Sequence, residues 1–291
     1  MKPLKLAICN DVYPSECHSF EEVCRRVADL GYGGVELAPF TVASDVRRTS
    51  TATRHRLRAA CEAAGLELVA LHWLLVSPPG LSITTPDDRV LSETRDYFKA
   101  LVEFASDLDV PVMVFGSPAQ RNLRPEWSRE EAVGRAVRFF RDACDWAAAH
   151  GVRVAFEPLA PDVTNFGSSV DEVLELARRV AHPAFAVHLD ARAMASEASP
   201  PEMLVKRVGK ALLAHFHAND PNGLGPGMGK LDLVPTLGAL LEIDYDGWIS
   251  VETFEPGPGP DAVAKRSLEY LVAALDRARF QAARSPAGRE A

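Results

Sequence analysis

Four short apolar runs in the second half of the chain each end in a titratable side chain: Val154-Ala155-Phe156-Glu157, Ala186-Val187-His188-Leu189-Asp190, Ala214-His215-Phe216-His217 and Ser250-Val251-Glu252. Runs of this length and composition are typical of buried strands, and longer amphipathic segments separate them. This alternation favours a parallel sheet with helical crossovers. The carboxyl ends of parallel strands lie at the same edge of a sheet, so the four polar ends are expected to lie together.

The same alternation continues outward from these runs to both ends of the chain and gives eight strand–helix units. At 291 residues, the chain has room for a single (β/α)8 barrel, a TIM barrel, which typically takes about 250 residues. We therefore predict one α/β barrel domain over residues 1–280 and a flexible C-terminal tail over 281–291. Strands are predicted at 4–9, 34–38, 66–72, 112–116, 153–157, 184–190, 212–217 and 248–252. Helices are predicted at 18–30, 51–64, 92–108, 129–150, 169–180, 201–208, 234–243 and 260–279.

Local signals mark several helix ends. Gly31, Gly65 and Gly151 each follow an amphipathic run, where a helix end favours a residue that tolerates positive φ. Ser92 and Ser128 are predicted to start helices, and Ser128 stands three residues before Glu131, which resembles a capping box.

Composition excludes several classes of protein. The chain has 47% hydrophobic and 25% charged residues and lacks an apolar run near the ~20 residues of a membrane span. Its net charge of −8 argues against a nucleic-acid partner. The N-terminus lacks the long apolar segment of an export signal. The five cysteines form no CxxC pair, so we expect reduced thiols and a cytoplasmic protein.

Two long segments follow predicted strands, at 73–89 and 218–233. Loops that follow the strands of a barrel lie at its C-terminal face, where active sites are built. We predict that both segments form lids or substrate walls.

The four strand ends predict a metal site. Charged groups at the end of an apolar strand are costly to bury unless they are paired or bound to metal. Glu157, Asp190, His217 and Glu252 would supply three carboxylates and one imidazole, a set that suits one divalent ion such as Mn²⁺, Co²⁺ or Mg²⁺, with Zn²⁺ possible. Each residue alone could instead cap a helix or form a salt bridge.

The chain resembles the sugar phosphate isomerase/epimerase superfamily of xylose isomerase-like barrels. The resemblance covers essentially the whole chain and is carried by Phe156-Glu157-Pro158-Leu159, His188-Leu189-Asp190, His215-Phe216-His217-Ala218-Asn219-Asp220, Val251-Glu252, Gly34-Val35-Glu36-Leu37-Ala38-Pro39-Phe40 and Leu71-His72-Trp73. It implies that Glu157, Asp190, His217 and Glu252 bind the metal, with the two glutamates on opposite faces of a sugar. These motifs are fairly specific for the superfamily and poorly specific for the substrate.

The implied chemistry is isomerisation or epimerisation. A proton next to a carbonyl is too weakly acidic to leave at neutral pH unless the developing enediolate is stabilised, which a metal does as a Lewis acid. Glu157 and Glu252 are then the expected catalytic residues, one taking the proton and the other returning it.

Further polar and aromatic residues are candidates for the pocket. Glu36 and His72 could bind substrate hydroxyls or act as a further acid or base, although a capping carboxylate and a structural histidine are the plain alternatives. His188 and His215 lie two residues before ligands and could support the metal ligands from behind, or simply fill the barrel core. The remaining substrate-binding candidates are Asn10, Trp73, Arg192 and Asn219, with Phe254 as a further wall. For Arg192, which could contact an anionic group, a surface salt bridge is the alternative; for Trp73 and Phe254 it is simple packing.

Three other functions remain open at this stage. A metal-dependent lyase or deglycosylase acting on a keto-sugar or keto-glycoside would pass through the same enediolate. An AP endonuclease-like nuclease shares the superfamily but uses a multi-zinc site with more histidines. A noncatalytic sugar-binding barrel would keep the metal without turnover. The expected partner is a small carbohydrate, without nucleic acid or membrane, and the chain is a possible homo-oligomer.

The resemblance also carries a negative prediction. Epimerases of free ketohexoses in this superfamily have a glutamate six residues past the first ligand, a histidine three past the second and an arginine six past the third. The matching positions here hold Val163, Ala193 and Gly223. We therefore expect a substrate other than a free ketohexose, recognised by other residues such as His72, Arg192 and the loop 219–228.

Overall fold

Each strand expected from the sequence lies within one residue of its predicted bounds. The computed structural model describes residues 4–284, in which eight parallel strands pair in chain order and close into a barrel, with the last strand beside the first. The fold is the predicted TIM barrel. The strands are β1 (Lys5–Cys9), β2 (Gly34–Leu37), β3 (Glu67–Leu71), β4 (Val112–Phe115), β5 (Arg153–Phe156), β6 (Phe185–Asp190), β7 (Leu213–Ala218) and β8 (Trp248–Val251).

The α-helices follow the strands as predicted, with one addition. A four-residue helix directly after β6 has no counterpart among the predicted helices. Within residues 4–284 the helices are α1 (Phe20–Leu30), α2 (Thr51–Ala63), α3 (Asp88–Asp107), α4 (Arg129–Ala149), α5 (Val170–Val180), α6 (Ala191–Met194), α7 (Pro201–Leu212), α8 (Val234–Glu242) and α9 (Pro260–Arg284).

The predicted helix start at Ser92 is wrong. Helix α3 begins at Asp88, because the Asp87 side chain accepts hydrogen bonds from the backbone N–H groups of Arg89 and Val90 and so caps the first turn. The start at Ser128 is confirmed, since its hydroxyl accepts a hydrogen bond from the backbone of Glu131.

Glycines that follow three of the helices have the backbone conformation that the sequence predicts. The three glycines predicted past helices, Gly31, Gly65 and Gly151, all have positive φ.

Helix α9 continues to Arg284, so residues 281–284 of the predicted tail are helical, and the remainder of that tail lies outside the described residues. No helix in the described part of the chain is long and apolar enough to cross a membrane.

An aromatic cluster supports the barrel below the predicted metal site. Phe156, the last residue of β5, packs against Phe115 and Phe140 with ring centroids 5.4 Å apart in each case. All three rings are buried. Because Glu157 is the next residue, this packing fixes the point at which β5 delivers its carboxylate to the barrel mouth.

Candidate active site

The four predicted metal ligands come together at the barrel mouth. One ligand atom from each of Glu157, Asp190, His217 and Glu252 lies within 4.8 Å of the others. Asp190 and His217 are paired across β6 and β7, while Glu157 and Glu252 directly follow β5 and β8. All four are buried, with exposed fractions of 7% or less.

The site concentrates negative charge that needs a cation. Burial, and then the neighbouring carboxylates of Asp190 and Glu252, raise the pKa of Glu157 well above its usual range. Burial and Glu252 likewise raise the pKa of Asp190 to about 6. Burial lowers the pKa of His217, but Glu36 and Glu252 outweigh it and raise that pKa above its usual range. Neighbouring carboxylates repel one another, so each is harder to ionise. A divalent cation bound between them would lower their pKa values and stabilise the charged forms.

This donor set fits a divalent metal ion. Three carboxylates and one imidazole provide hard oxygen ligands with one nitrogen, and the group contains no sulfur. Gly116 makes room for it, since a Cβ atom at this position would stand 2.3 Å from Oε2 of Glu157.

Glu36 lies behind His217 and not in the pocket. Both its carboxylate oxygens are 3.1 Å from Nε2 of His217, while Nδ1 of the same ring lies 3.1 Å from Oε2 of Glu252, toward the other ligands. A proton on Nε2 directed at Glu36 leaves the Nδ1 lone pair free for a metal ion. The sequence predicts a substrate contact for Glu36, but its carboxylate is fully buried beneath His217.

The fully buried Glu36 carboxylate is kept charged by histidines. Burial raises its pKa, but His215, His217 and His72 outweigh this and hold the pKa well below its ordinary value. His215 makes the shortest contact, with Nε2 at 2.8 Å from Glu36 Oε2. The position of His215 therefore matches a supporting role, through Glu36.

His188 also lies behind the ligands, as the spacing predicts. Its ring centroid is 4.2 Å from that of His217, and its Nε2 is 3.8 Å from Oε1 of Glu157. Both ring nitrogens are buried without a hydrogen-bond partner among residues 4–284. Burial, together with His217 and His215, lowers the pKa of His188 well below its usual range, so this ring is neutral.

His72 lines the pocket with a partner that sequence reasoning missed. Its Nε2 lies 3.2 Å from Oδ1 of Asp11, a residue just after β1. Burial lowers the pKa of His72, but Cys9, Asp11 and Glu36 outweigh it and raise that pKa well above its usual range. The sequence offered one indication of this partner, because Asp11 directly follows Asn10, which is itself a predicted pocket residue.

Asn219 organises Asp190 and does not line the pocket. Its Nδ2 donates to Oδ2 of Asp190 at 2.5 Å, and its Oδ1 accepts from the backbone N–H of Arg192 at 2.9 Å. The other oxygen of Asp190 accepts from the backbone N–H of Ala193. The sequence predicts a substrate contact for Asn219, but its amide is already occupied by these bonds.

Asn10 is likewise committed to the scaffold. Its side chain donates to Thr41 Oγ1 at 2.9 Å and accepts from the backbone N–H of Ala38 at 2.7 Å. These bonds tie the end of β1 to the segment after β2, which explains why Asn10 is not among the residues that line the pocket.

Arg121 is a buried cation that the sequence did not reveal. Its Nη1 donates to the backbone carbonyl of Glu157 at 2.6 Å, and its guanidinium lies 4.8 Å from the Phe156 ring centroid. Burial lowers its pKa to about 10. Arg121 thus holds the backbone of the first ligand in place.

One pocket opens onto the four ligands. Of the substrate-binding candidates, His72, Trp73 and Arg192 line it, and Phe254 contributes as expected. The loop after β3 contributes Trp73, but the loop 219–233 contributes no lining residue, because it folds around Asp220, whose carboxylate accepts from the backbone of Leu231. The full lining is His72, Trp73, Val114, Gly116, Ser117, Pro118, Glu157, Leu159, Ala160, Val163, Asp190, Arg192, Ala193, His217, Glu252 and Phe254.

Two lining residues have unusual backbone conformations. Trp73 and Ser117 have φ of 52° and 21°, although neither is glycine. The Ser117 hydroxyl accepts a hydrogen bond from the backbone of Leu75 and so links the loops after β3 and β4. Strained residues that cluster in a pocket are typical of preorganised functional sites.

A family comparison agrees with this geometry. The family described as xylose isomerase-like TIM barrel matches residues 24–274. The chain belongs to this family. The predicted resemblance is thereby confirmed at the level of the family.

Similar proteins of this family carry epimerase names. Fructoselysine 3-epimerase of Shigella flexneri is 22% identical over 264 residues, which are 88% of this chain and 93% of that protein. D-allulose 3-epimerase from Methylomonas sp., solved with D-allulose, superposes with a TM-score of 0.81 at 18% identity, over 94% of this chain and 98% of that one. A 3-keto-D-glucoside 4-epimerase from E. coli superposes with a TM-score of 0.79 at 17% identity, over 93% of this chain and 100% of that one.

Proposed function

We propose that the protein is a divalent-metal-dependent isomerase or epimerase of a sugar or sugar derivative. The observation that carries the proposal is the convergence of Glu157 and Glu252 with Asp190 and His217 around one point that opens into a pocket. Assignment to the isomerase and epimerase class agrees with the names of its relatives.

Four residues of the chain are proposed to bind the metal ion. Glu157, Asp190, His217 and Glu252 would hold one divalent ion, with Mn²⁺, Co²⁺ or Mg²⁺ suited to the oxygen-rich set and Zn²⁺ possible. When bound, the ion supplies Lewis-acid stabilisation of the negative oxygen that forms as the adjacent proton leaves.

Glu157 and Glu252 are proposed to move the proton. They enter the pocket from β5 and β8, two strands that are not neighbours in the barrel. One carboxylate takes the proton from the carbon next to the carbonyl, and the other returns a proton to the same or the neighbouring carbon. The neutral His188 and the charged Glu36 keep the ligands in place from behind.

Exchange of carbon-bound hydrogen with solvent tests this proposal directly. Mn²⁺-loaded protein in D₂O should place deuterium next to the carbonyl of its substrate among a panel of keto-sugars and their derivatives. Glu157→Gln and Glu252→Gln should each slow exchange by at least about 100-fold, the usual contribution of an acid or base. An exposed control, Glu255→Gln, should keep the wild-type rate. Wild-type exchange in either glutamine variant would clear that glutamate of the role.

A lyase acting on keto-glycosides is the second candidate, and His72 favours it. Elimination needs a proton for the departing group in addition to the base that starts the reaction. His72 lines the pocket and is held by Asp11, which makes it a third group able to give a proton. Release of methanol from methyl 3-keto-β-D-glucopyranoside, whose leaving alkoxide needs a proton, would support this candidate if it is lost in His72→Gln. Deuterium incorporation into that compound without release would favour epimerisation.

A further inference from the structure

Arg192 places a free positive charge in the pocket. The residue lines the pocket together with Phe254, and its guanidinium lies 4.8 Å from the Phe254 ring centroid. Within residues 4–284 no acidic oxygen lies within 4.0 Å of this guanidinium. The surface salt bridge that the sequence left open for Arg192 is therefore not formed in the described part of the chain.

The contact with the Phe254 ring holds the guanidinium in the pocket wall without using its donors. A cation–π contact is electrostatic, so the N–H groups stay available for hydrogen bonds to a substrate. The backbone of Arg192 is fixed as well, through its bond to Asn219, which also holds the metal ligand Asp190. The charge is thus held at a set distance from the ligands.

The rest of the lining is poor in groups that recognise hydroxyls. Among the described residues, Arg192 is the only lysine or arginine in the lining, and most of the other residues outside the ligand set are apolar. Of the remaining side chains with polar atoms, Ser117 accepts from the backbone of Leu75 and His72 is paired with Asp11, while Trp73 adds a single indole N–H donor. Such a wall suits a substrate that presents few hydroxyl groups and one negative charge.

The charge balance of the site also favours a substrate with one negative charge. Three carboxylates and one divalent ion leave a net negative charge at the ligands, which would repel an anionic substrate. Arg192 offsets this charge at the point where the substrate would lie. A planar guanidinium matches a carboxylate with two parallel hydrogen bonds. A phosphate group usually takes several donors, and the backbone N–H of Ala193 beside Arg192 is already bonded to Asp190.

We infer that the substrate is a keto-sugar acid whose carboxylate binds Arg192. The inference rests on the proposed function and adds to it the chemical class of the substrate. Its core is one contact, between a substrate carboxylate and the Arg192 guanidinium beside the Phe254 ring.

Three probes that differ only at carbon 6 test this contact. D-Fructuronate carries a carboxylate there, D-fructose a hydroxymethyl group and D-fructose 6-phosphate a phosphate ester. Binding to the Mn²⁺-loaded protein is measured by calorimetry for wild type, Arg192→Gln, Arg192→Lys and a control, Arg124→Gln. Arg124 is exposed and also lies beside an aromatic ring, with its guanidinium 5.2 Å from the Trp127 centroid, but it lies outside the pocket.

We expect fructuronate to bind at least about tenfold more tightly than fructose to wild type and to Arg124→Gln. Arg192→Gln should abolish this preference while keeping its Mn²⁺, and Arg192→Lys should keep part of it. Equal or undetectable binding of fructuronate, a preference that survives Arg192→Gln, or tighter binding of the phosphate ester would each overturn the inference.

Deuterium exchange on the same probes separates the two proposals. Arg192-dependent binding of fructuronate without any exchange would remove the proposed chemistry and leave the carboxylate contact standing. Exchange that proceeds equally on the neutral and acidic probes, in wild type and in Arg192→Gln, would remove the carboxylate contact and leave the chemistry standing.

Discussion

Glu36 and His217 form a buried pair in which both carboxylate oxygens lie 3.1 Å from the same ring nitrogen, Nε2. The opposite nitrogen, Nδ1, lies on the side of Glu252 and the other ligands. Glu36 therefore selects the form of the imidazole that presents its lone pair to a metal ion. A carboxylate behind a metal-binding histidine is a common way to fix the ring and increase its basicity.

Replacing Glu36 should weaken metal binding without removing a ligand. Glu36→Gln is expected to lower Mn²⁺ affinity about 10- to 100-fold, the usual effect of losing such a partner. Calorimetric titration of chelator-treated protein measures it. His217→Ala, which removes the ligand itself, should lose more affinity than Glu36→Gln.

The matched control for this pair is Glu67→Gln. Glu67 begins β3 on the surface, where its one ion-pair partner in the described part of the chain is Lys5. The Glu67→Gln variant should bind Mn²⁺ with wild-type affinity. Wild-type affinity in Glu36→Gln would show that Glu36 does not position His217. Full metal content in His217→Ala would remove His217 from the ligand set.

The raised pKa of Asp190 predicts a pH dependence. Burial and Glu252 raise this pKa from 3.8 to about 6, so in the metal-free protein the folded state binds the proton more tightly than the unfolded chain. The sign follows: between about pH 4 and pH 6 the metal-free fold loses stability as pH rises. A metal ion competes with the same proton, so its affinity should increase over this range.

Titrations with Mn²⁺ at several pH values check this dependence. From pH 6 to pH 5 the apparent affinity should fall about fivefold, because a carboxyl group with a pKa of about 6 is half ionised at pH 6 and about one-tenth ionised at pH 5. Thermal unfolding of metal-free protein should give a higher midpoint at pH 5 than at pH 6.5 if this carboxyl group dominates. A constant Mn²⁺ affinity across the range would contradict the assignment of Asp190 as a ligand with a raised pKa.

Arg121 is expected to stabilise the fold as well as the site. Arg121→Ala would empty a fully buried volume beside Phe156 and leave the carbonyl of Glu157 without its donor. A buried cavity together with an unpaired buried carbonyl typically costs about 2–5 kcal/mol. Denaturant unfolding of the metal-free variant measures the loss. Arg124→Ala, an exposed change, should alter stability by no more than about 0.5 kcal/mol, and an equally small effect of Arg121→Ala would refute the role.

The barrel and the convergence of the four proposed ligands were predictable because both follow from local patterns. Alternating strands and helices specify the barrel, and strand ends in a barrel share one mouth, which brings Glu157, Asp190, His217 and Glu252 together without knowledge of the loops. Period-two alternation also placed His188 and His215 on the same side as the ligands.

The positions that the sequence misplaced or missed are set by how deeply a side chain is buried and by where the loops run. Alternation gives the direction of Glu36 but not its depth, which is set by the three histidines around it. Arg121 reaches Glu157 across 36 positions of sequence, and Asn219 turns back to Asp190 across 29. No local pattern in the sequence records such contacts.

Free ketohexoses should be poor substrates, although several relatives are named for such sugars. At two of the three positions where the resemblance implies a polar contact to the sugar, Val163 and Ala193 line the pocket and offer no hydrogen bond. At the third, Gly223 has φ of +82°, and a Cβ atom there would stand 2.9 Å from Cγ of Glu255, so the backbone itself disfavours a long polar side chain.

The expected result is a low rate on fructose, psicose and tagatose with added Mn²⁺. A site that hydrogen-bonds a hydroxyl can discriminate by about 10⁴-fold, so the joint absence of these contacts changes substrate choice and does not merely weaken binding. Restoring one contact with Ala193→His tests the cause, since it should raise kcat/KM on these sugars, whereas the exposed change Ala149→His should not. A wild-type kcat/KM at or above about 10⁴ M⁻¹s⁻¹, the range of true substrates, would refute the prediction.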